Sequence, residues 1–484
     1  MNKTPFVKLF KSKYGYYFYD VNTNRIVKIK KESYFNLENA LRVSKEDSNS
    51  CEIDQILSAD AELKQLINEG LLKCKYPEKI EMPESPKIPY FLKNKLHNLT
   101  LQVTQQCNFR CRYCHYTYGD DIQYHSHKSN SMSWETAKAA IDFFAKRTRD
   151  SLYVSIGFYG GEPLLEYELI KKCINYCNTV FEGKLFGFTI TTNAYLLTPE
   201  KAKFLIDNNT DILVSLDGPK EIHNKNRKYA WDGSGTFDTV YRNLETIKQQ
   251  LPQYIGKISY HSVIDPANDC SKVNNFFKCD MFENQEIRTS TLQPTIGKGA
   301  YTSNDYLKSM KKNRLLALLA KAGVFDKSKI PTIAKSYFEY LNQFEKQMTI
   351  YNELSSVMGH SGPCKPGIFK LFVTTNGDLY PCERLKDSSD VMKIGSVFSS
   401  IDVEKVNFIY NVGYVCSTRC AQCWNIRHCR ICATKINDGN SLSAELCATQ
   451  CKYDCLETEK MIKYLIAIRE VEKKIARKDV SNDQ

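Results

Sequence analysis

Tryptophan and methionine are scarce in this 484-residue chain, at 3 and 9 residues. Long apolar runs are missing. No stretch reaches the ~18 consecutive apolar residues of a membrane-spanning helix, so no membrane segment is expected. Met1 to Tyr14 carries four lysines and no apolar run, which predicts no signal peptide and a cytoplasmic protein. No internal repeat of fixed period stands out. Charge of one sign is not concentrated either: the net +12 is spread over the whole length. Short basic runs such as Lys28 to Lys31 read as solvated surface, so neither nucleic acid nor membrane is expected as a partner. With 42% hydrophobic and 25% charged residues, the composition excludes a disordered chain. The length suggests about three domains.

What is abundant is cysteine, with 19 residues. A cytosolic chain does not spend so many on disulfides. Metal or cluster ligation is the better expectation, with small buried hydrophobes as the alternative. Spacing decides between them.

Residues 1–80 read as a small unit. Tyr16–Asp20 and Arg25–Ile29 are aromatic and β-branched, and Asn22-Thr23-Asn24 between them is turn chemistry, so a β-hairpin is predicted. Ser33 to Leu41 is a short helical pattern. Ser58 or Asp60 can cap a helix bearing Leu63, Leu66 and Ile67, with Gly70 past its end. Hairpin plus short helices is winged-helix-like content. Residues 81–97 read as a stiff linker without regular structure, since Pro83, Pro86 and Pro89 fall together.

From Leu99 strands and helices alternate. The expected strands are Leu99–Val103, Tyr153–Phe158, Phe188–Thr192, Ile212–Leu216, Lys257–Val263 and Ile287–Leu292. Trp134–Thr148, Leu164–Phe181, Pro199–Asn208 and Phe237–Gln249 are the helices between them. This predicts an α/β fold over 98–305, with a parallel sheet covered by helices, as in an α/β barrel or part of one. Functional groups in such sheets lie beyond the C-terminal strand ends. Asp305–Ala322 and Pro331–Tyr351 form a helical bridge within 306–359. Residues 360–455 are cysteine-dense, loop-rich and aperiodic. Leu456–Ala476 is a charged amphipathic helix within 456–484, with a frayed end at Asp479–Gln484.

The first cysteine group, Cys107-x3-Cys111-x2-Cys114, directly follows the first strand of the alternating region. Three thiolates on one loop can ligate three irons of a [4Fe–4S] cluster and leave the fourth iron open to a small molecule. Zinc sites rarely crowd three ligands so closely with none following. The other strand ends carry polar or glycine-rich turns. Tyr159-Gly160-Gly161-Glu162-Pro163 ends the second strand, Thr191-Thr192-Asn193 the third, and Ser215-Leu216-Asp217-Gly218-Pro219 the fourth, with Arg227 beyond it.

Together these motifs resemble the radical S-adenosylmethionine (radical SAM) enzymes. Their signature is C-x3-C-x-aromatic-C, with Tyr113 here as the aromatic residue. The resemblance implies a partial (β/α)6 radical SAM barrel. It implies that the turn Gly160, Gly161, Glu162 and Pro163 meets the methionine amino group of S-adenosylmethionine. It likewise implies that Asn193 faces the cofactor, that Ser215 meets its ribose or carboxylate, and that Arg227 pairs with the carboxylate. For Asp217, Gly218 and Pro219 a plain turn stands equally. The chemistry implied is one-electron cleavage of the sulfonium to a 5′-deoxyadenosyl radical, which abstracts hydrogen from a substrate carbon.

The second group is Cys364-x12-Gly377-x4-Cys382, then Cys420-x2-Cys423-x5-Cys429-x2-Cys432, with Cys416 before this block and Cys447, Cys451 and Cys455 after it. It resembles the SPASM domain, which holds two auxiliary [4Fe–4S] clusters. The chain departs from that pattern in having two residues, not three, between Cys429 and Cys432. The resemblance implies a first auxiliary cluster on Cys364, Cys382 and Cys432, with Cys416 as a possible fourth ligand. A second would use Cys420, Cys423, Cys429 and one of Cys447, Cys451 or Cys455. Two zinc ribbons are the alternative. Glu383, directly after Cys382, stands where sulfatase-maturating relatives carry a proton acceptor; a solvated carboxylate is the bland reading. Cys51, Cys74, Cys173, Cys177, Cys270 and Cys279 match no motif and read as packing, and His115 reads as structural.

Radical enzymes with SPASM domains mostly act on peptides. The segment before the barrel resembles the leader-recognition module of maturases for ribosomally made peptides, which adds the leader as an extra strand. Tyr19-Asp20-Val21-Asn22-Thr23-Asn24 is typical of the thioether-forming group. The resemblance thus implies a precursor peptide with a leader as substrate, a cysteine thioether crosslink as product, and a reductase or a flavodoxin or ferredoxin as electron donor. The rivals are an anaerobic sulfatase maturase forming formylglycine, a carbon–carbon crosslinking maturase and, in another class, a non-enzymatic metal-binding module.

Overall fold

The computed structural model describes residues 4–46, 50–114, 116, 127–292, 302–360, 364–385 and 389–482. His115 lies outside them, as do the last two residues of the expected frayed tail.

The N-terminal sheet has three antiparallel strands, β1 (Val7–Ser12), β2 (Gly15–Asp20) and β3 (Arg25–Ile29), in the order β1-β2-β3. The hairpin is the predicted one, and β1 is an addition to it. Helices α1 (Lys31–Glu46), α2 (Ser50–Ala59) and α3 (Ala61–Asn68) follow. Asp60 caps α3 by accepting from the amides of Glu62 and Leu63. Alternation gives the sheet two faces. Phe18 and Ile29 join Tyr34, Leu37, Ile53 and Leu63 from the helices in one core. Phe10, Tyr17 and Tyr19 point the other way into a second core, shared with Leu341, Ile426, Met461 and Leu465 from distant parts of the chain. The sheet is therefore built between two partners.

The expected irregular linker contains a helix. Ser85–Lys87 is a 3-10 turn and α4 runs over Ile88–Asn94. Proline disfavours helix interiors but suits the first turn, where its missing N–H has no acceptor to lose. Pro86 and Pro89 both occupy such starting positions.

The central region alternates as predicted. Its elements are β4 (Asn98–Thr104), α5 (Trp134–Ala145), β5 (Tyr153–Gly160), α6 (Tyr167–Val180), β6 (Leu185–Thr192), α7 (Pro199–Asp207), β7 (Thr210–Ser215), α8 (Lys220–Asn226), α9 (Phe237–Gln250), β8 (Ile258–Ile264), α10 (Cys270–Phe276) and β9 (Ile287–Thr291). Every step from β4 to β9 is parallel. Ser133 and Thr198 cap α5 and α7. Cys173, Cys177 and Cys270 are buried in this core, while Cys51, Cys74 and Cys279 are exposed and so do not pack as expected.

After the bridge α11 (Asn304–Lys321) and α12 (Thr332–Met348), the chain returns to the sheet. β10 (Leu371–Val373) pairs parallel with β4 through Leu371–Leu99, Phe372–Thr100 and Val373–Leu101. β11 (Asp378–Tyr380) and β12 (Gly395–Ser396) extend it into a nine-stranded sheet. The cysteine-rich region thus shares the sheet of the strand that leads into the first cysteine group. Helices α13 (Val403–Tyr410), α14 (Ser417–Ala421), α15 (Ala433–Ile436) and α16 (Ala444–Asn482) complete the fold. The last helix begins 12 residues before its predicted start at Leu456, so Cys447, Cys451 and Cys455 stand on a helix, not on loops. At spacings of four they share one face. Among the described residues no helix is long and apolar enough to cross a membrane.

Candidate functional site

The loop after β4 carries Cys107, Cys111 and Cys114 on a single connection at the C-terminal edge of the parallel sheet. Backbone amides already point at the sulfurs: Phe109 N–H donates to Cys107 Sγ at 3.4 Å and Tyr116 N–H to Cys114 Sγ at 3.4 Å. Asn193, just past β6, donates from Nδ2 to Asn108 Oδ1 at 2.8 Å and to Cys107 Sγ at 3.9 Å. Burial pushes the Cys111 thiol up to about 12, with Arg227 pulling the other way. The same desolvation raises Cys107.

Tyr159-Gly160-Gly161-Glu162-Pro163 presses its backbone against this loop. Gly160 has φ +145°, and a Cβ there would lie 2.1 Å from the Thr104 carbonyl; at Gly161 it would lie 2.1 Å from that of Gln106. The glycines are required by strand-to-loop contact, before any ligand is considered. Glu162 is buried, and both its oxygens are engaged. Oε1 accepts from Leu164 N at 3.0 Å and Thr192 Oγ1 at 2.7 Å, and Oε2 from Asn193 N at 2.7 Å. It clamps the ends of β5 and β6 and caps the turn that Pro163 begins. Burial raises its pKa, and these donors oppose the shift.

Arg227 stands differently from the role implied for it. Its Nε and Nη2 donate to the two oxygens of Asp217 at 3.0 and 3.1 Å, and Nη1 donates to Cys111 Sγ at 3.9 Å. Asp217 also accepts from the Tyr113 hydroxyl and, at 3.1 Å, from Val263 N. Asp217 is fully buried; burial alone would raise its pKa, but the guanidinium beside it holds it below the ordinary range. Asp217, read as a turn residue or a ligand, is thus the anchor that fixes Tyr113 and Arg227. Ser215 ends β7 half-buried, beside His261 of β8.

The C-terminal cysteines fall into two neighbourhoods. Cys364, Cys382 and Cys432 come together: after the larger effect of burial, Cys432 raises the pKa of Cys364, and Glu383, Cys432 and Cys364 raise that of Cys382. Glu383 adjoins them. Lys370 Nζ donates to both its oxygens at 2.9 Å. Burial would raise the Glu383 pKa, but Lys370 holds it below the usual range. Glu383 is therefore an ion-paired carboxylate, not a solvated one, and Lys370 is a partner that sequence reading missed. Tyr159 lies between this neighbourhood and the first loop: after burial, Glu383 is the largest influence on its hydroxyl and Cys114 the next.

The second neighbourhood gathers Cys416, Cys420, Cys423, Cys429, Cys447, Cys451 and Cys455. Cys423 hydrogen-bonds Cys455, and Cys447 hydrogen-bonds Cys416 and lies 4.0 Å, sulfur to sulfur, from Cys451. Cys420 feels Cys451, Cys423 and Cys416 in that order. Cys416 thus sits with the helix α16 thiols and not with Cys364, Cys382 and Cys432, where a fourth ligand was implied. Its position at the start of α14 sends it toward the first turn of α16, whose Ala444 carbonyl is 3.9 Å from its sulfur. Among the described residues no three His, Cys, Asp or Glu side chains converge as ligands of one ion would. The thiols are grouped at wider spacing.

Residues 101–266 match the family model described as the radical SAM superfamily. The chain is 27% identical over 376 residues to a cysteine-type anaerobic sulfatase-maturating enzyme of Clostridium perfringens, covering 74% of this chain and 93% of that one. It is 28% identical to the radical SAM cyclopropyl synthase TigE of Paramaledivibacter caminithermalis, over 34% of this chain and 35% of that one. The chain spans less than half the length of some curated relatives that it matches, 46% of one and 35% of TigE. The structure of native anSMEcpe with bound AdoMet and Cp18Cys peptide superposes with a TM-score of 0.56 at 22% identity, covering 78% of this chain and 99% of that one. That likeness is one of fold.

The family uses S-adenosylmethionine and a [4Fe–4S] cluster, and the first loop fits such a group. Burial raises the Cys107 and Cys111 thiols for want of positive charge beside them, and iron held there in place of the proton would supply it. Amide donors aimed at sulfur are the surroundings that iron–sulfur ligands need. Sequence, sheet topology and thiol chemistry lead to the same place: residues 101–266 of this chain match the radical SAM superfamily.

Proposed function

We propose that the enzyme is a maturase of a ribosomally made precursor peptide and that it installs a crosslink, a cysteine thioether. The carrying observation is the N-terminal sheet. Strand β3 pairs with β2 alone, so among the described residues its outer edge has no strand partner. An extended leader can complete such an edge by main-chain hydrogen bonds. A sheet of this kind, packed against α12 and α16 in the same chain, supports a substrate longer than the segment being modified.

In this reading Cys107, Cys111 and Cys114 hold the radical cluster, and S-adenosylmethionine lies against the turn 160–163, Asn193 and Ser215. Bound there, the pair supplies one-electron chemistry that removes hydrogen from a substrate carbon. The protein's part is placement. Asp217 fixes Arg227 against Cys111 and Tyr113 beside it. Glu162 holds two strand ends in register. Cys364, Cys382 and Cys432 would hold the first auxiliary cluster, and Cys420, Cys423, Cys429 and a thiol of α16 the second. Glu383, kept ionised by Lys370, can accept a substrate proton at its carboxylate. A flavodoxin, ferredoxin or reductase would deliver electrons. The domain limits proposed remain 1–80, 98–305, 306–359 and 360–455, with the linker and tail as given above.

The sulfatase-maturating reading has its own support, the match over 93% of such an enzyme. One experiment separates the two. The anaerobically reconstituted enzyme is given synthetic cysteine-containing precursor peptides, with and without a leader, and a sulfatase-derived peptide. A product lighter by two hydrogens that requires the leader is expected. Formylglycine on the sulfatase peptide, or equal processing without the leader, overturns the proposal.

A further inference from the structure

The motif Tyr19–Asn24 lies at the turn end of the N-terminal hairpin, where an exposed peptide-binding feature would be reasonable. It is buried: Tyr19 and Asn22 are 0% exposed and Asn24 3%. Lys73, Leu72 and Leu354 bond one side of it; the other is met by the segment Trp424-Asn425-Ile426-Arg427-His428, which is the whole connection between Cys423 and Cys429. Arg427 donates from Nε to the Val21 carbonyl at 2.6 Å and from Nη2 to that of Asn22 at 3.0 Å. His428 Nε2 lies 3.0 Å from Asn24 Oδ1 and 3.1 Å from the Tyr19 hydroxyl, which donates to the same Oδ1 at 2.8 Å. Trp424 meets Phe10 and Tyr19 edge to face, at 6.1 and 6.2 Å between ring centroids. Ile426 enters the core that holds Phe10 and Tyr19. Asn425 turns to Asp454 of α16, and Arg427 also donates to the Asn352 side chain and carbonyl, both at 2.8 Å.

Between the two cysteines the connection has no helix or strand of its own. Such a segment pays backbone entropy for holding its ends at a fixed separation. Here the hairpin turn supplies that order in advance. Asn24 is itself held from behind, donating to the carbonyls of Gln347 at 2.8 Å and Ile350 at 3.1 Å.

We propose that the hairpin turn is a positioning element for the Cys423–Cys429 thiols, so that the N-terminal module serves two ends: β3 presents an edge to the peptide, and the turn builds the auxiliary-cluster site. Tyr19, Asn24, Arg427 and His428 are positioning residues that act through the two cysteines. The inference rests on the reading of Cys423 and Cys429 as cluster ligands. It also means that removing residues 1–80 would damage the cluster site and the leader site together.

The test uses full-length protein, reconstituted anaerobically as wild type, Asn24→Ala, Arg427→Ala, Tyr19→Phe and Phe18→Leu. Phe18 lies on the opposite face of the same sheet, in the core with the N-terminal helices, so its truncation weakens the module without touching the turn. Iron per chain, the electron paramagnetic resonance of each cluster and the melting temperature are measured. Wild type should hold about twelve irons. Asn24→Ala and Arg427→Ala should lose about four of them and keep the radical cluster's spectral response to S-adenosylmethionine. Tyr19→Phe, which removes one oxygen, should shift the spectrum of the same auxiliary cluster even with iron retained. Phe18→Leu should melt earlier with iron and spectra unchanged. Turn variants with wild-type iron and spectra overturn the inference while leaving the clusters in place, as does equal iron loss in Phe18→Leu. Wild type with only about four irons overturns the auxiliary-cluster reading and the inference with it.

Discussion

The two thiol-rich regions are assembled in opposite ways. Cys107, Cys111 and Cys114 lie within eight residues on one loop, and the chain's own geometry keeps them close. The C-terminal thiols come from segments between Cys364 and Cys455, and sheet pairing, a docked hairpin and a long helix bring them together. A local site tolerates change elsewhere in the molecule. A distributed site inherits every contact that positions its segments.

That contrast can be broken most directly at the local site. Cys111→Ser should abolish S-adenosylmethionine cleavage to background, read as 5′-deoxyadenosine, while the auxiliary iron stays. Loss of all iron would show that the two regions are not independent.

Asp217→Asn tests whether the local site is as self-sufficient as its spacing suggests. It leaves the buried Arg227 charge without its carboxylate, a change that typically costs ~3–5 kcal/mol. A marked drop in melting temperature and weakened S-adenosylmethionine response are expected; an unchanged melting curve would remove Asp217 as the anchor.

For the distributed site, Cys420→Ser and Cys416→Ser should differ. The first should lower bound iron by about four per chain, and the second should leave it near wild type. Equal losses would place Cys416 among the ligands.

The smallest effect expected is a pH dependence. His223 is buried on α8, accepts from Asp217 N at 3.4 Å and meets Thr236 Oγ1 at 3.0 Å. Burial lowers its pKa from 6.5 to about 3, with Arg227 adding to the shift. The unfolded chain therefore binds a proton below about pH 6.5 that the folded one refuses. Stability is fully present above that pH and falls on acidification by up to ~1.4 kcal/mol per unit. His223→Gln should flatten the melting temperature profile between neutral pH and about pH 5. A parallel profile would assign the acid sensitivity to other groups.

Much of the fold could be read along the chain. The strands of the parallel region stand where apolar, β-branched runs place them, because each is decided by a few neighbouring side chains. The same holds for the Asp60 cap and the hairpin turn. Less legible were elements whose stability comes from partners. β10 has three residues and exists because β4 offers it an edge. The first turns of α16 carry three cysteines in a stretch without apolar periodicity, and packing against α15 and the 3-10 turn Val412–Cys416 makes them helical. Arg227 could be matched to a motif, but its partner could not, since Asp217 looked like any turn aspartate. Glu383 was visible beside Cys382, whereas Lys370, which sets its charge, was not.

By itself the sequence determined the alternating α/β plan, the three-thiol loop and the presence of a second cysteine-rich region, since these depend on composition and short spacings. Tertiary structure alone decided that Cys416 joins the α16 thiols, that Tyr159 lies between two sites, and that the hairpin turn is spent on the Cys423–Cys429 connection. Spacing constrains distance only over a loop or a turn of helix. Contacts such as Asn24 to His428 span 404 positions, and only the packing of the whole chain selects them.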